Sequence, residues 1–264
     1  MKYFLAGCTG FIGEAFTKTI IKQGHEIVML TRNPMAIPKS IAPFVTGVYW
    51  NGKTYSKEWA MHIQSSDIVI NLSGTSVAGL WTKSYKRKLW NSRILTTGLI
   101  IDALKEYKVK PKVFINASAM GYFQGLFNSF SNPFDENARK GQGFMSDLCE
   151  AWEKEAFKAM SLSIRTVIPR ISLVLGANGG VLPKLLLPFK LNVGHILGDG
   201  QQAFPWIHVD DLVALFHFFI KEEKLNGIVH TVSQDTPPLT MEQSMRLIAK
   251  SLDKKIWCHV SDRF

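Results

Sequence analysis

The chain has 264 residues, of which 46% are hydrophobic and 20% are charged. This composition supports a full buried core, as one large domain or as two unequal lobes, and argues against intrinsic disorder. We expect a single domain over residues 1–264. The net charge of +10 favours anionic ligands, but it does not separate nucleic acid, acidic membranes and phosphorylated small molecules.

Short apolar runs alternate with longer segments of helical period. This pattern predicts a Rossmann-like α/β fold, a doubly wound parallel sheet covered by helices on both faces. Six strands are predicted, at Lys2 to Ala6, Glu26 to Leu30, Val45 to Trp50, Asp67 to Asn71, Lys112 to Ala117 and Ile164 to Ile168. The first helix is expected to end near Gly24, and the clearest others run from Tyr85 to Tyr107 and from Phe144 to Met160.

The alternation of apolar strands and helical segments becomes less regular after about Ile171. Loops rich in Gly and Pro are expected at Gly176 to Pro188 and at Gly194 to Pro205. The remaining elements predicted are a helix from Asp210 to Lys221, a strand from Ile228 to Val232 and a helix from Met241 to Leu252. We assign about residues 1–170 to a cofactor-binding part and about residues 171–264 to a small C-terminal substrate lobe, with ligands at the carboxyl ends of the strands.

The three cysteines, Cys8, Cys149 and Cys258, are far apart and odd in number. They match neither a disulfide framework nor a zinc ligand set, so we predict a reducing compartment and no metal site. The apolar run before Cys8 is shorter than the ~7–15 residues of a signal-peptide core, and no stretch approaches the ~20 apolar residues of a membrane span. We therefore expect a cytoplasmic protein with no membrane partner.

A glycine-rich loop from Gly7 to Gly13 follows the first strand and opens the first helix. In a dinucleotide-binding loop, Gly7 would permit the tight turn and Gly10 would let the backbone approach the diphosphate. Gly13 would let helix and strand pack closely, while the helix N-terminus offers N–H groups to the phosphates. We assign to cofactor binding these three glycines and the intervening Thr9, Phe11 and Ile12. An ordinary tight turn is the alternative.

The end of the second strand bears on the choice of cofactor. A fold that prefers NAD places an Asp or Glu about 20 residues beyond the loop, on the ribose 2′-hydroxyl. Here the strand ends in Leu30-Thr31-Arg32, so a guanidinium stands where the carboxylate is expected. Arg binds phosphate through two hydrogen bonds, which suits the 2′-phosphate of NADP. We predict NADP(H) in preference to NAD(H), with Thr31 and Arg32 at the site; a solvated Arg32 is the alternative.

Further motifs occur in order along nearly the whole chain. They are Ala6 to Gly13, Leu30 to Arg32, Asn71 to Gly74, Trp81-Thr82, Ser92-Arg93, Ser118 to Tyr122, Cys149 to Glu153, Val174 to Gly176 and Trp206 to Leu212. Together they resemble one branch of the extended short-chain dehydrogenase/reductases, the atypical "epimerase family protein" group, often called nucleoside-diphosphate-sugar epimerases. The G-x-x-G-x-x-G spacing of the loop also points to this extended form.

The resemblance implies roles for residues beyond the loop. The strand end lining the adenosine and diphosphate would comprise Asn71, Leu72, Ser73 and Gly74. Ser118 would face the nicotinamide and hydrogen-bond a substrate hydroxyl or carbonyl. Arg93 and Arg170 are further candidates for cofactor binding, and Arg170 could instead meet an anionic substrate or solvent.

Chemistry in this superfamily normally depends on a Tyr-x-x-x-Lys pair, in which the Tyr moves a proton and the Lys lowers its pKa. Aligned on Trp152-Glu153, the Tyr position falls on Met145 and the Lys position on Cys149. A thioether cannot move a proton, and a neutral thiol supplies no fixed charge. The remaining catalytic candidates are Ser118, Tyr122 and Cys149. Aromatic packing is the alternative for Tyr122, and a small buried residue is the alternative for Cys149.

The leading hypothesis is an NADP(H)-binding oxidoreductase or sugar-nucleotide-epimerase-like enzyme acting on a small polar substrate. The alternative is an NADP(H)-binding sensor or interaction protein that has lost catalysis. Nucleic-acid binding rests on charge alone and lacks a recognised module, so we predict no nucleic-acid partner. The densest basic run, from Lys83 to Lys88, is interpreted as a solvated helix face.

The resemblance also bears on the end of the chain. Members of the group usually continue for some tens of residues beyond the point that matches Trp257 to Phe264. It therefore implies either that a C-terminal tail is lost here or that this is the sequence of a shortened gene product. Loss of the tail would expose apolar surface and could promote a homodimer.

Overall fold

The computed structural model describes residues 1–126, 134–233 and 239–260. The strands are β1 (Lys2–Ala6), β2 (Glu26–Thr31), β3 (Thr46–Tyr49), β4 (Ile68–Asn71), β5 (Val113–Asn116), β6 (Ser118–Ala119), β7 (Thr166–Ile171), β8 (Leu173–Gly176), β9 (Gly179–Gly180), β10 (Gly194–Leu197), β11 (Trp206–His208), β12 (Gly227–Thr231) and β13 (Ile256–Val260). The α-helices are α1 (Phe11–Ile21), α2 (Lys57–Ala60), α3 (Lys83–Asn91), α4 (Ile94–Glu106), α5 (Phe144–Phe157), α6 (Leu182–Lys190), α7 (Val209–Lys221) and α8 (Met241–Ser251). Short 3-10 turns occur at Pro34–Ala36, Ala42–Phe44, Met61–Ile63, Met120–Phe123 and Lys158–Leu162.

The main sheet is parallel and runs in the order β12-β7-β5-β4-β1-β2-β3, with β6 also pairing to β7. The chain proceeds outward from β1 through β3 and then returns to the other side of β1 as β4. This reversal is the topological switch point of a doubly wound fold, where ligands bind at the carboxyl ends of the strands. The predicted Rossmann-like fold is confirmed.

The two faces of the sheet are covered by separate helix layers. Successive side chains of β1 point to opposite faces, so Tyr3 and Leu5 join one apolar core while Phe4 and Ala6 join the other. The helices α1 and α7 pack together on the first face, and α4 and α5 pack together on the second. Burial on both faces explains why these strands are continuous apolar runs in the sequence.

The segment after β7 builds a smaller apolar core but also returns to the main sheet. Phe189, Ile196, Phe204 and Met245 pack together beneath α8. In contrast, β12 pairs with β7 at the edge of the main sheet. The boundary near residue 171 therefore stays a prediction. Residues 261–264, the end of the stretch from which the missing tail was inferred, lie outside the described part of the chain.

The predicted helix from Tyr85 to Tyr107 is wrong in one respect, because two helices, α3 and α4, replace it. They meet at Ser92-Arg93, where the Arg93 guanidinium donates to the carbonyl oxygen of Leu89 at 3.3 Å and to that of Thr75 at 3.1 Å. The second of these contacts joins the junction to the loop after β4. The position of the break thus follows a tertiary contact that helical periodicity does not reveal.

The predicted loop from Gly176 to Pro188 is also wrong, because it contains β9 and most of α6. Pro183 lies in the first turn of α6, where a backbone N–H would have no helical partner. Leu185 and Phe189, one turn apart, pack into the smaller core. Tertiary packing outweighs the proline signal here. The predicted loop from Gly194 to Pro205 likewise contains β10, which pairs with the distant β13.

Candidate functional site

The glycine-rich loop joins β1 to α1 at the switch point of the sheet. Gly7 has a φ of +70°, and a Cβ atom there would overlap the backbone of Ser73. A Cβ on Gly13 would overlap the backbone of Cys8, so this glycine lets α1 pack against the loop. Around Gly10 the position of a Cβ has no neighbour within 4 Å. Gly7 and Gly13 are required by the fold itself, whereas the freedom at Gly10 leaves space for a ligand.

A cavity of about 600 Å³ opens beside this loop. It brings together seven of the residues predicted to bind the cofactor: Gly7, Thr9, Gly10, Thr31, Arg32, Ser73 and Gly74. No side chain caps the N-terminus of α1, so its first N–H groups are available to an anion. The cavity therefore presents backbone donors and a guanidinium to a ligand that carries phosphate.

Several predicted cofactor residues lie outside the cavity lining. The ring of Phe11 lies against Gly179 and Gly180 of β9, while Ile12 and Leu72 pack against the core beneath α1. Gly13 performs the packing role described above. These residues support the cavity from the protein interior. A direct contact between them and a cofactor stays a prediction.

Asn71 is fully buried at the end of β4 and connects three elements. Its amide nitrogen donates to Asn116 at 2.7 Å and to Thr97 at 3.0 Å, and its side-chain oxygen accepts from the backbone N–H of Ser73 at 3.0 Å. Asn71 therefore holds the Ser73 segment in the cavity wall. Arg93 supports the same segment, because it binds the carbonyl of Thr75 and lies close to Gly74.

Ser118 belongs to a buried charged network. Its hydroxyl donates to Glu153 at 2.6 Å, and Glu153 accepts two further hydrogen bonds from the Arg170 guanidinium at 2.8 and 2.9 Å. The ring of Tyr122 covers that guanidinium, 3.6 Å from its central carbon. Arg170 therefore faces Glu153 rather than the cavity, and the packing alternative is favoured for Tyr122.

Glu153 is a site residue that the sequence reasoning missed. The signal was available, because Glu153 lies on the buried face of α5 and Arg170 lies within the buried strand β7. Opposite charges at two buried positions are expected to pair, since an unpaired buried charge is costly. Their pairing fixes Ser118 with its proton turned towards Glu153, which leaves the lone pairs of its oxygen to accept a hydrogen bond.

Cys149 is buried beside Met145, where both side chains lie against Gly121. Burial, together with the negative charge of Glu153, raises the pKa of the Cys149 thiol to about 12. The thiol is therefore neutral near pH 7, and the structure favours the buried-residue alternative over a nucleophile. In the part of the chain that the structure describes, no three His, Cys, Asp or Glu side chains are grouped to hold a metal ion.

The cavity also includes polar residues that were not predicted. They include Asn51 and Lys53 after β3, and Ser84, Arg87, Lys88 and Asn91 on α3. The basic run was the available signal, but only the fold shows which of its members turn towards the cavity. No helix among the described residues is both long enough and apolar enough to cross a membrane.

A doubly wound sheet with this loop and cavity defines a nucleotide-binding protein of the extended short-chain dehydrogenase/reductase class. The chain belongs to the NAD dependent epimerase/dehydratase family, which matches it over residues 3–232. An epimerase family protein of Staphylococcus saprophyticus is 36% identical over 249 residues, covering 92% of this chain and 77% of the relative. A chloroplastic SDR39U1 homologue of Arabidopsis thaliana is 30% identical and covers 99% of this chain and 74% of the relative.

Solved structures agree with this assignment. Human epimerase family protein SDR39U1, determined with NADPH, superposes with a TM-score of 0.80 at 26% identity, covering 99% of this chain and 83% of that one. The UDP-glucose 4-epimerase of Thermotoga maritima, determined with UDP-glucose, also gives a TM-score of 0.80 and covers 100% of this chain and 86% of that one. Its 17% identity shows the fold alone. The family assignment supports a nicotinamide cofactor.

Proposed function

We propose that this protein binds NADP(H) in preference to NAD(H) and serves as an oxidoreductase or epimerase-like enzyme for a small polar molecule. The observation that carries the proposal is Arg32 in the cavity lining at the end of β2. No Asp or Glu is found among the described lining residues, so the group expected to select the ribose 2′-hydroxyl of NAD has no counterpart there. A guanidinium at this position favours a phosphate instead.

The chain's own residues suit such a cofactor. The open space at Gly10 would let the diphosphate approach the backbone, and the N-terminus of α1 would bind it. Ser73 and Gly74, held by Asn71 and Arg93, would form the neighbouring wall. When bound, the nicotinamide would supply or accept a hydride.

We further propose that Ser118 orients the reacting oxygen of the substrate. Because its proton is donated to Glu153, the Ser118 oxygen is set to accept a hydrogen bond from a substrate hydroxyl. At the usual Tyr position the Met145 thioether cannot move a proton, and at the usual Lys position the neutral Cys149 thiol supplies no positive charge. In this proposal the proton is exchanged with water.

A second candidate function is an NADP(H) sensor without catalysis. It is favoured by Met145 and Cys149 at the usual Tyr and Lys positions, and by the burial of Ser118, which is 2% exposed. A sensor and an enzyme share the cofactor site and differ only in hydride transfer.

The cofactor proposal is tested by titrating the protein with NADPH and NADH and following nicotinamide fluorescence. We expect NADPH to bind at least about tenfold more tightly, because a charge-assisted bond to phosphate contributes about 1.5–3 kcal/mol. Arg32→Ala should remove most of that preference, whereas Arg246→Ala on α8 is the matched control. Unchanged NADPH affinity in Arg32→Ala would show the assignment to be wrong.

The two functions are separated by adding carbonyl compounds, alcohols and UDP-sugars to the protein with bound NADP(H). Loss or gain of reduced nicotinamide absorbance, or interconversion of sugar epimers, would establish an enzyme. Ser118→Ala should then reduce turnover with little change in NADPH affinity. Tight NADPH binding with no turnover across the whole panel would favour the sensor.

A further inference from the structure

The lining of the cavity has an uncompensated positive charge. Its lining includes four basic side chains: Arg32, Lys53, Arg87 and Lys88. None of the four forms an ion pair with a carboxylate anywhere in the described residues. Like charges that converge on one cavity repel one another unless an anion lies between them. The cavity is therefore suited to a ligand with more than one negative group.

The helix α3 contributes two of these charges from one face. The α3 residues that line the cavity are Ser84, Arg87, Lys88 and Asn91. Their spacing of three, four and seven residues places them on a single side of the helix. Lys83 and Lys86 do not line the cavity, and Lys86 lies 5.3 Å from the ring of Phe144. The basic run is thus divided between a ligand-facing side and the remainder of the helix.

The position of α3 is fixed at both ends by the loop that follows β4. At its start, the Thr82 side chain caps the helix, and the Tyr85 hydroxyl donates to the carbonyl of Ser76 at 2.6 Å. Beyond its end, the hydroxyl of Ser92 accepts from the backbone N–H of Thr75 at 2.9 Å. Because Thr75 itself lines the cavity, these bonds hold α3 in place beside the cavity.

We propose that Arg87 and Lys88 bind the 2′-phosphate of NADP(H) together with Arg32, so that α3 is a second determinant of cofactor specificity. The inference rests on the proposed function. A ribose phosphate has a charge near −2 at pH 7, which a single guanidinium does not neutralise. The diphosphate has its own donors in the glycine loop, so the cations of α3 remain for the additional phosphate.

The test uses nucleotides without nicotinamide, so that its outcome is independent of any reaction. Adenosine 2′,5′-bisphosphate, adenosine 3′,5′-bisphosphate and AMP are titrated by calorimetry into the wild-type protein and into Arg87→Gln, Lys88→Gln and the double variant. Lys83→Gln is the matched control, since it removes one charge from α3 outside the cavity. Gln is a good helix former, and all three side chains are on exposed residues, so the fold should be preserved.

We expect each single variant to weaken binding of the 2′,5′-bisphosphate about fivefold and the double variant about 25-fold, as for partly exposed charge-assisted bonds. AMP affinity should change by less than about twofold, and Lys83→Gln should match the wild type. An equal loss for AMP, no loss in the double variant, or equal binding of the 3′,5′-bisphosphate by the wild type would each overturn the proposal.

The result also separates this inference from the proposed function. If the wild type does not prefer the 2′,5′-bisphosphate over AMP, the NADP(H) assignment itself fails. If that preference exists and disappears in Arg32→Ala but survives in the Arg87→Gln/Lys88→Gln double variant, only the role of α3 is wrong.

Discussion

Glu153→Gln tests whether the buried network beneath Ser118 stabilises the protein. The substitution keeps the size of the side chain but removes the charge that pairs with Arg170. Both partners are buried, with side-chain exposures of 4% for Glu153 and 1% for Arg170. Breaking such a pair leaves an uncompensated buried charge, and the usual cost is about 3–5 kcal/mol.

The lower end of that range applies here. After the substitution, Arg170 would still donate to the carbonyl of Glu136 at 3.3 Å and would still lie against the Tyr122 ring at 3.6 Å. We therefore expect a loss of about 3 kcal/mol in the free energy of unfolding. For a domain of this size, each kcal/mol lowers Tm by about 2–4 °C, so the expected decrease in Tm is about 6–12 °C.

The assay is thermal and urea unfolding followed by circular dichroism. The matched control is Glu242→Gln, which breaks the exposed pair with Arg246 on α8 and should cost less than about 1 kcal/mol. The double substitution Glu153→Leu/Arg170→Met should be less destabilised than Glu153→Gln, because it leaves no unpaired charge. Equal Tm values for Glu153→Gln and Glu242→Gln would show that the buried pair does not stabilise the protein.

Three further predictions concern the loop, the thiols and the response to pH. Gly10→Ala should leave Tm within about 2 °C of wild type but weaken NADPH binding about tenfold or more. Gly13→Ala should instead destabilise the fold by about 3 kcal/mol, because its Cβ overlaps Cys8. Equal Tm values for the two variants would contradict this prediction. At pH 8 one thiol per native chain should react quickly with a disulfide reagent, because Cys258 is exposed while burial raises the pKa of Cys8 and Cys149. This fast reaction should be absent in Cys258→Ser. Rapid labelling of the Cys258→Ser protein would contradict the prediction. Burial lowers the pKa of His217, so the fold should lose stability as the pH falls below the ordinary histidine pKa of about 6.5. His217→Gln should reduce this pH dependence of stability between about pH 7 and pH 5. Urea unfolding at several pH values measures this pH dependence of stability. A wild-type stability that rises on acidification would contradict the prediction.

Local patterns in the sequence were sufficient for the main architecture. The strands from β1 to β5 lie within a residue or so of their predicted positions, because burial on both faces leaves an apolar run that turn residues delimit. The loop from Gly7 to Gly13 could be predicted from the sequence as well. Its glycines are required by contacts between a strand, a turn and a helix that are adjacent in the chain.

The elements that were mispredicted depend on contacts between distant segments. The break between α3 and α4 follows a bond from Arg93 to Thr75, and α6 forms in spite of its prolines because Phe189 packs into the smaller core. Helical periodicity and proline statistics describe only neighbours along the chain, so neither could report these contacts.

The same division holds for the site. The sequence determined that a nucleotide loop is followed by Arg32 and that the usual proton-transfer positions hold Met145 and Cys149. Only the tertiary structure decided that Ser118 donates to Glu153, 35 residues away, and that Arg87 and Lys88 turn towards the cavity. The physical reason is that residue type fixes which bonds a side chain can make, whereas the fold fixes which partner is within reach.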